Sequence, residues 1–362
     1  MRGSRVAREK PGERGDAYAR AGVDVRKVRS MQARMAWTFG STFANRRGKF
    51  GEPAIGIGHY AGLIDIGHGT LMGLHTDNVG TKVLIAQQLR RFDTVGIDCV
   101  AMTVNDLICL GCEPVALLDH ISLEREDAKM VEELSAGLVR GANQAKAAIV
   151  GGETAIVGDM VKGIDGRGFD LISMGVGVVP RNSVVDGSTI RVGDAVVGVG
   201  SSGLHSNGYT LARRILRGRD LEKQVQELGE SLGDALLRPT KIYVQPTIDV
   251  LRRHEVHGVA HITGGGFAKL NRLVGNRKLM FDLEKFGARD IPPIFGLLQR
   301  EGNLIDAEMY KTFNMGVGLC LVIPRSEVAA VVRDYNKTGF AGRLIGTVKR
   351  GEGVLIGKER IA

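Results

Sequence analysis

Four polar turns that carry glycine, each placed where an apolar run ends, constrain this chain more than any other feature. They are Asp77-Asn78-Val79-Gly80-Thr81-Lys82, Gly151-Gly152-Glu153-Thr154, Ser201-Ser202-Gly203-Leu204-His205-Ser206-Asn207-Gly208 and Thr263-Gly264-Gly265-Gly266-Phe267. Turns of this kind aim backbone N–H groups outward, where they cradle anions, and a helix starting just beyond adds partial positive charge. Glycine is abundant at 51 residues against 9 prolines, with no collagen period, as expected of tight turns and close backbone approaches. The pattern predicts an α/β protein with mixed sheets.

The order of elements supports this. A helix is expected from Ser30 to about Ala44, then a glycine-dense loop over Gly51–Gly69 and a strand over Thr70–Thr76. A helix follows to Arg90, and Asp93 or Thr94 caps another over Val95–Leu110. Pro114–Ile121 reads as a strand, Asp127 caps an amphipathic helix to Ala145, Ala148–Val150 reads as a short buried strand and Phe169–Pro180 as a longer one. Turn signals at Asp186-Gly187 and Val192-Gly193-Asp194 make 181–193 the linker between residues 17–180 and 194–362. In the second half, strands are expected over Ala195–Gly200, Val259–Ile262, Gly316–Ile323 and Leu344–Val348. Helices are expected over Tyr209–Arg217, Thr240–Arg253, Pro293–Arg300 and Ser326–Lys337. Met174-Gly175-Val176-Gly177 and Met315-Gly316-Val317-Gly318 echo each other, both inside expected strands that end in Pro-Arg, which hints at two related halves.

Composition excludes several classes. At 43% apolar and 25% charged the chain is neither disordered nor a small disulfide scaffold, and no apolar run nears the ~18 residues that span a bilayer. The net charge is +9, but the first thirty residues hold nine basic and four acidic side chains, so over half of the excess lies there. Residues 1–16 read as a solvated basic arm without the apolar core of a secretory signal. A nearly balanced body argues against nucleic acid as a partner. Cys109 and Cys112 form a C-x-x-C with no second ligand pair, so zinc is not indicated. With Cys99 and Cys320 they fit small apolar residues of a reducing, cytoplasmic setting.

None of the turns is a Walker A, no G-x-G-x-x-G is followed by a ribose-binding acid, and no G-x-S-x-G elbow is present. Charged residues supply the chemistry instead. Mg²⁺ prefers one or two carboxylates plus phosphate oxygens and water. Asp77 and Asp106, with Asp65 as a third candidate, suit such a site, and Lys82 suits a phosphate. Asp106 lies among Val104, Leu107 and Ile108, where an unpaired carboxylate would be costly. Its plainer reading is a helix-surface aspartate, and that of Glu153 is a turn acid. His205, in a loop of small polar residues, suits proton transfer or phosphate contact, or simply braces its loop. His120, His254, His257 and His261 read as structural.

Taken together these segments resemble one family, aminoimidazole ribonucleotide synthetase, also called phosphoribosylformylglycinamidine cyclo-ligase. The matches begin at Tyr18-Ala19-Arg20-Ala21-Gly22-Val23-Asp24. They run through Asp77–Lys82, Gly96–Leu107, Gly151–Thr154, Gly200–Tyr209 and His261–Phe267 to Glu308–Gly318, spanning roughly residues 17–350. Asn78 stands where that family usually has glycine, and Gly56–Asp65 departs from its commonest bacterial form.

The resemblance implies a two-domain synthetase and a cytoplasmic homodimer. Its N-terminal domain contributes strands to a central dimeric barrel, and its C-terminal α/β domain packs outside. It implies ATP and Mg²⁺ in the cleft and formylglycinamidine ribonucleotide as substrate, cyclised through a phosphorylated amide oxygen. On it, Asp77, Val79, Gly80, Thr81, Lys82, Gly151 and Gly152 meet ATP. Ser201, Ser202, His205, Ser206, Asn207, Gly264 and Gly265 meet the substrate. Asp77, Asp106 and Asp65 hold metal, and His205, Lys82 and Glu153 are catalytic. A sister synthetase, a kinase of a small phosphorylated vitamin and a basic nucleic-acid-binding module are the other readings.

Overall fold

The computed structural model describes residues 17–22 and 24–362. The basic arm expected over 1–16 lies outside them. Short helix α1 (Ala17–Arg20) and long helix α2 (Val25–Gly40) lead into a 3₁₀ turn over Ser41–Arg46. The first sheet is built from β1 (Gly62–Asp65), β2 (Thr70–Asn78), β3 (Glu113–Leu123), β4 (Ala148–Ile156) and β5 (Phe169–Pro180), in the order β1-β2-β5-β3-β4. All neighbours are antiparallel except β3 and β4, the pair joined through a helix. Helices α3 (Val83–Leu89), α4 (Asp93–Ile108) and α5 (Ala128–Ala145) complete this half.

The second half contains β6 (Ala195–Gly200), α6 (Tyr209–Ile215), a small hairpin β7 (Gln224–Val225) and β8 (Glu230–Ser231), α7 (Leu232–Leu237) and α8 (Val244–Arg253). It continues with β9 (Gly258–His261), β10 (Leu279–Leu283), α9 (Pro293–Gly302), α10 (Asp306–Thr312), β11 (Val317–Ile323), α11 (Val328–Lys337), β12 (Gly342–Arg350), β13 (Gly353–Ile356) and β14 (Glu359–Arg360). Seven strands form its mixed sheet, in the order β14-β13-β10-β12-β6-β11-β9. Both halves are therefore mixed α/β units. Among the described residues no helix is long and apolar enough to cross a membrane.

The positions of three elements bear on function. Helix α4 is buried from Val95 to Ile108 without interruption. One side lies on the first sheet and the other meets the second half, so it cannot be amphipathic. Its approach to α5 is very close: a Cβ on Gly96 would stand 2.5 Å from Leu134 O, and one on Gly137 would collide with Asp93 O. Asp127 caps α5 as expected, accepting from Met130 N at 3.0 Å.

Several expectations are corrected. The stretch 148–150 is no buried strand: β4 is a sheet edge with Val150 66% exposed, because α5 packs on α4 and leaves β4 uncovered. Asp93 opens α4 as its first helical residue but caps nothing with its side chain. Met315 and Gly316, at φ 48° and 93°, precede β11, so the echo with Met174–Gly177 does not share a strand context. All four cysteines are free and buried, and burial pushes the Cys112 thiol up to about 12.

The α4–α5 crossing depends on two missing side chains. Gly137→Val should lower stability by ~1–3 kcal/mol through overpacking, read as a fall in the denaturation midpoint. An unchanged midpoint would show that the helices separate freely.

Candidate functional site

The alternation of β2 sets the first two groups. His75 and Asp77 are two residues apart, so both face α4, on the same side as buried Leu71 and Gly73. Helix α4 presents Asp106 to them, and β9 ends in His261 behind it. His261 Nδ1 donates to Asp106 Oδ1 at 2.8 Å. His75 Nε2 stands 3.5 Å from Asp106 Oδ2 and 4.0 Å from Asp77 Oδ2. Asn105, one residue before Asp106, accepts from Tyr243 N at 2.9 Å and donates to Lys241 O at 2.8 Å. It ties the helix to the second half.

The electrostatics follow from this crowding. Burial pushes the Asp77 carboxyl up, and neighbouring Asp106 adds to the shift. Burial also pushes on Asp106, but the His261 hydrogen bond and the charges of His75 and His261 outweigh it and hold Asp106 below the usual range. Lys269, on the 3₁₀ helix Gly266–Leu273, is brought down to about 8 by burial and by Arg272, against the pull of Asp106 and Asp77. Among the described residues no group of three or more His, Cys, Asp or Glu is arranged to hold a metal. A pair of carboxylates is enough for Mg²⁺ when phosphate and water supply the remaining oxygens.

Three of the four glycine segments meet around this cluster through their own hydrogen bonds. Ser206 Oγ donates to Val79 O at 2.6 Å, and Gly264 N donates to Asn207 Oδ1 at 2.9 Å. Ser201 Oγ bonds Asn314 Oδ1 at 2.9 Å and Gly203 O at 3.1 Å, and Ser202 Oγ donates to Pro239 O at 2.5 Å. Within this geometry, the three serine hydroxyls expected on substrate bond to the protein's own groups. Val79 is fully buried, Thr81 meets Thr210 across the gap at 3.2 Å, and Gly80 takes φ 71°. Asn78 needs no positive φ, because it is the last residue of β2, paired with Ile172. Beside the cluster opens a cavity of about 840 Å³, whose lining includes His75, Gly264, Gly265 and Lys269.

Six expected site residues lie elsewhere or do something else. Asp65 pairs with Arg181 beside Leu71, six residues back along β2 from Asp77 and so ~20 Å away. Gly151, Gly152 and Glu153 are on β4, and β5 and β3 stand between them and β2, placing them ~14 Å from Asp77 within one protomer. Lys82 is fully buried. Its ammonium stands 2.6 Å from Asp98 Oδ2 and donates to His205 O at 3.1 Å and Arg238 O at 2.8 Å. All three donors are taken, so none is left for a phosphate. Burial pulls Lys82 down and Asp98 up, and their pairing opposes both shifts.

His205 is the last of them, with only 1% of its surface exposed. Its Nε2 accepts from Ser202 N at 3.2 Å, and its ring fills the slot left by Gly318, whose Cβ would stand 2.5 Å from Cε1. Burial and the charges of His261, Lys82 and Lys241 hold it well below the usual histidine range, so it is neutral and braces the loop. The polar letters around it misled the reading, because they bond one another and enclose the ring. His75 carries an unused signal, its spacing of two from Asp77, whereas His261, expected to be structural, bonds Asp106 across 155 positions.

Comparison with known proteins places this geometry. Residues 58–179 match the model of the AIR synthase related protein N-terminal domain, and residues 191–358 match that of the C-terminal domain. The phosphoribosylformylglycinamidine cyclo-ligase of Thermococcus kodakarensis is 45% identical over 326 residues, 88% of this chain and 92% of that protein. That of Pyrococcus furiosus is 41% identical over 345 residues, 94% and 97%. Among solved structures, thiamine-monophosphate kinase from Stenotrophomonas maltophilia superposes with a TM-score of 0.62 at 19% identity, over 88% of this chain and 96% of that one. Hydrogenase maturation protein HypE of E. coli does so at 0.59 and 19%, over 79% and 82%. These two structures share the fold.

The buried pair yields a test. Lys82→Met strands the Asp98 charge and should cost ~3–5 kcal/mol of stability, while Lys82→Met with Asp98→Leu should recover most of it. Chemical denaturation of both variants decides. A stable Lys82→Met protein that lost only turnover would return the lysine to the reaction.

Proposed function

This chain belongs to the phosphoribosylformylglycinamidine cyclo-ligase family, and from that we propose that the cleft beside Asp77 and Asp106 is where its two substrates meet. The reaction is the ATP-dependent cyclisation of formylglycinamidine ribonucleotide to 5-aminoimidazole ribonucleotide, with release of ADP and phosphate, in purine biosynthesis. The observation that carries the placement is the convergence of Asp77 and Asp106 on His75, which lines a cavity together with Gly264 and Gly265. We read residues 17–180 and 194–362, joined by 181–193, as its two working units.

An amide oxygen is a poor leaving group. Transfer of the γ-phosphoryl group of ATP to that oxygen makes it a good one. The amidine nitrogen then attacks the same carbon, phosphate departs and the ring closes with loss of a proton. Little covalent work falls to the protein, which must align oxygen with phosphorus and exclude water. Asp77 and Asp106 would hold Mg²⁺, which supplies charge neutralisation on the transferring phosphoryl group. His261 fixes the Asp106 carboxylate through its 2.8 Å bond. Ser206 and Asn207 hold the second-half loop against Val79 and Gly264, closing the cleft from that side.

We also read the chain as a homodimer in the cytoplasm. Among the described residues nothing covers the face of the first sheet opposite α4, yet it carries Met72, Leu74, Met174, Val176 and Leu118 and continues to the apolar edge of β4. A second copy of the chain would cover such a face, with strands from both protomers forming a barrel.

An ADP-release assay with and without formylglycinamidine ribonucleotide checks the reaction, which should require both substrates and Mg²⁺. Asp77→Asn and Asp106→Asn should each lower kcat by ~10²-fold or more with the fold retained. A well-folded double variant with full turnover would overturn the metal assignment. Light scattering should give twice 38.9 kDa, and Met174→Lys should shift it towards the protomer. An active particle of 38.9 kDa would exclude the dimer.

A further inference from the structure

The cavity wall is basic, and it comes nearest to the two aspartates at His75, which stands 3.5 Å from Asp106 and 4.0 Å from Asp77. Lys269, also on the wall, is attracted by both aspartates and repelled by Arg272 and Arg29. At the other end α2 brings Arg29 and the 3₁₀ helix brings Arg272, and both line the cavity with His59 and Tyr60. Arg272 is not a loose surface chain: its guanidinium carbon stands 5.2 Å from the centre of the Tyr60 ring, a cation–π contact that helps to hold it. Among the described residues, none of the three cations is within 4.0 Å of a carboxylate. This is unusual in a chain whose other arginines and lysines pair widely with acids, as Arg91 does with Asp234 and Arg300 with Glu227. Burial and Arg272 together press on the charge of Arg29. Like charges converging on a cavity without an internal counter-ion describe a site that an anion completes.

We propose that Arg272 and Arg29, with Lys269 behind them, form the subsite for the 5′-phosphate of the ribonucleotide substrate. The assignment rests on the cyclo-ligase reading for the name of the ligand, but on the cavity for its chemistry, a phosphomonoester dianion. Such a substrate has its phosphate at one end of the ribose and its reacting amide at the other. The charge gradient orients it: phosphate to the arginines, amide to the carboxylate end where ATP is bound. A guanidinium presents parallel N–H groups, the geometry that grips phosphate oxygens. The phosphates of ATP belong to the other end, where the carboxylates hold a cation.

The test compares formylglycinamidine ribonucleotide with its 5′-dephosphorylated ribonucleoside, on the full chain and on Arg272→Gln, Arg29→Gln and the pair. The subsite requires that Arg272→Gln lower the ribonucleotide-to-ribonucleoside ratio of kcat/KM by ~10–100-fold, mainly through the ribonucleotide KM, and that the pair lower it further. Arg29→Gln guards against misfolding, since Arg29 has no stacking partner to lose. Equal losses on both substrates would assign the arginines a purely structural role, and a rise in the KM for ATP instead would assign them to the nucleotide. Either result overturns the proposal. Calorimetric titration with ribose 5-phosphate reads the subsite without turnover. Binding to the parent that weakens in Arg272→Gln supports it even if ring closure is absent, and equal binding by both excludes it.

Discussion

Burying a helix on all sides leaves its polar side chains no recourse to water, and α4 carries four such residues. Asp98 meets Lys82 and accepts from both the N and Oγ1 of Thr240 at 2.8 and 2.6 Å. Thr103 shares a 2.5 Å bond with Ser173, Asn105 bonds the backbone at 241 and 243, and Asp106 bonds His261. Three of these four reach partners in the second half of the chain. Apolar packing alone is tolerant of small slides, whereas a buried carboxylate displaced by an ångström loses its partner at a cost of kilocalories. The polar residues of α4 therefore set the register between the halves, and the cleft takes its shape from that register.

Much of this was legible where chemistry is local. A turn after an apolar run, an Asp127 before an amphipathic helix and the spacing of Asp77 from Gly80 are all patterns within a few residues. The loops that meet at the cleft were found for that reason. What escaped depends on long-range partners. Nothing near Lys82 announces that Asp98 lies one helix away with two carbonyls completing its coordination, so a lysine after a glycine turn read as a phosphate ligand. His205 failed in the opposite direction, since its polar neighbours bond one another and seal the ring inside. Asp65 sits at the far end of its hairpin, a distance that depends on the register of β1 with β2. The short strands β10, β13 and β14 leave too few residues for a period to show.

The cleft joins two kinds of order. Its carboxylate end is made by secondary structure, a strand and a helix whose side chains point by geometry. Its cationic end is made by α2 and a 3₁₀ helix, which bring Arg29, Lys269 and Arg272 to the cavity wall. The carboxylate end suits chemistry that needs alignment, and the cationic end suits capture of an anionic substrate.

The Lys82–Asp98 pair has one more consequence. Most ion pairs of this chain lie at the surface, such as Arg252 with Glu113 and Arg140 with Asp93. Dissolved ions screen those within a Debye length of about 10 Å at 0.1 M. Neither member of the buried pair is reached by solvent, so counter-ions cannot stand between them. Raising ionic strength thus strips the exterior of its electrostatic ties while leaving the joint between the halves intact.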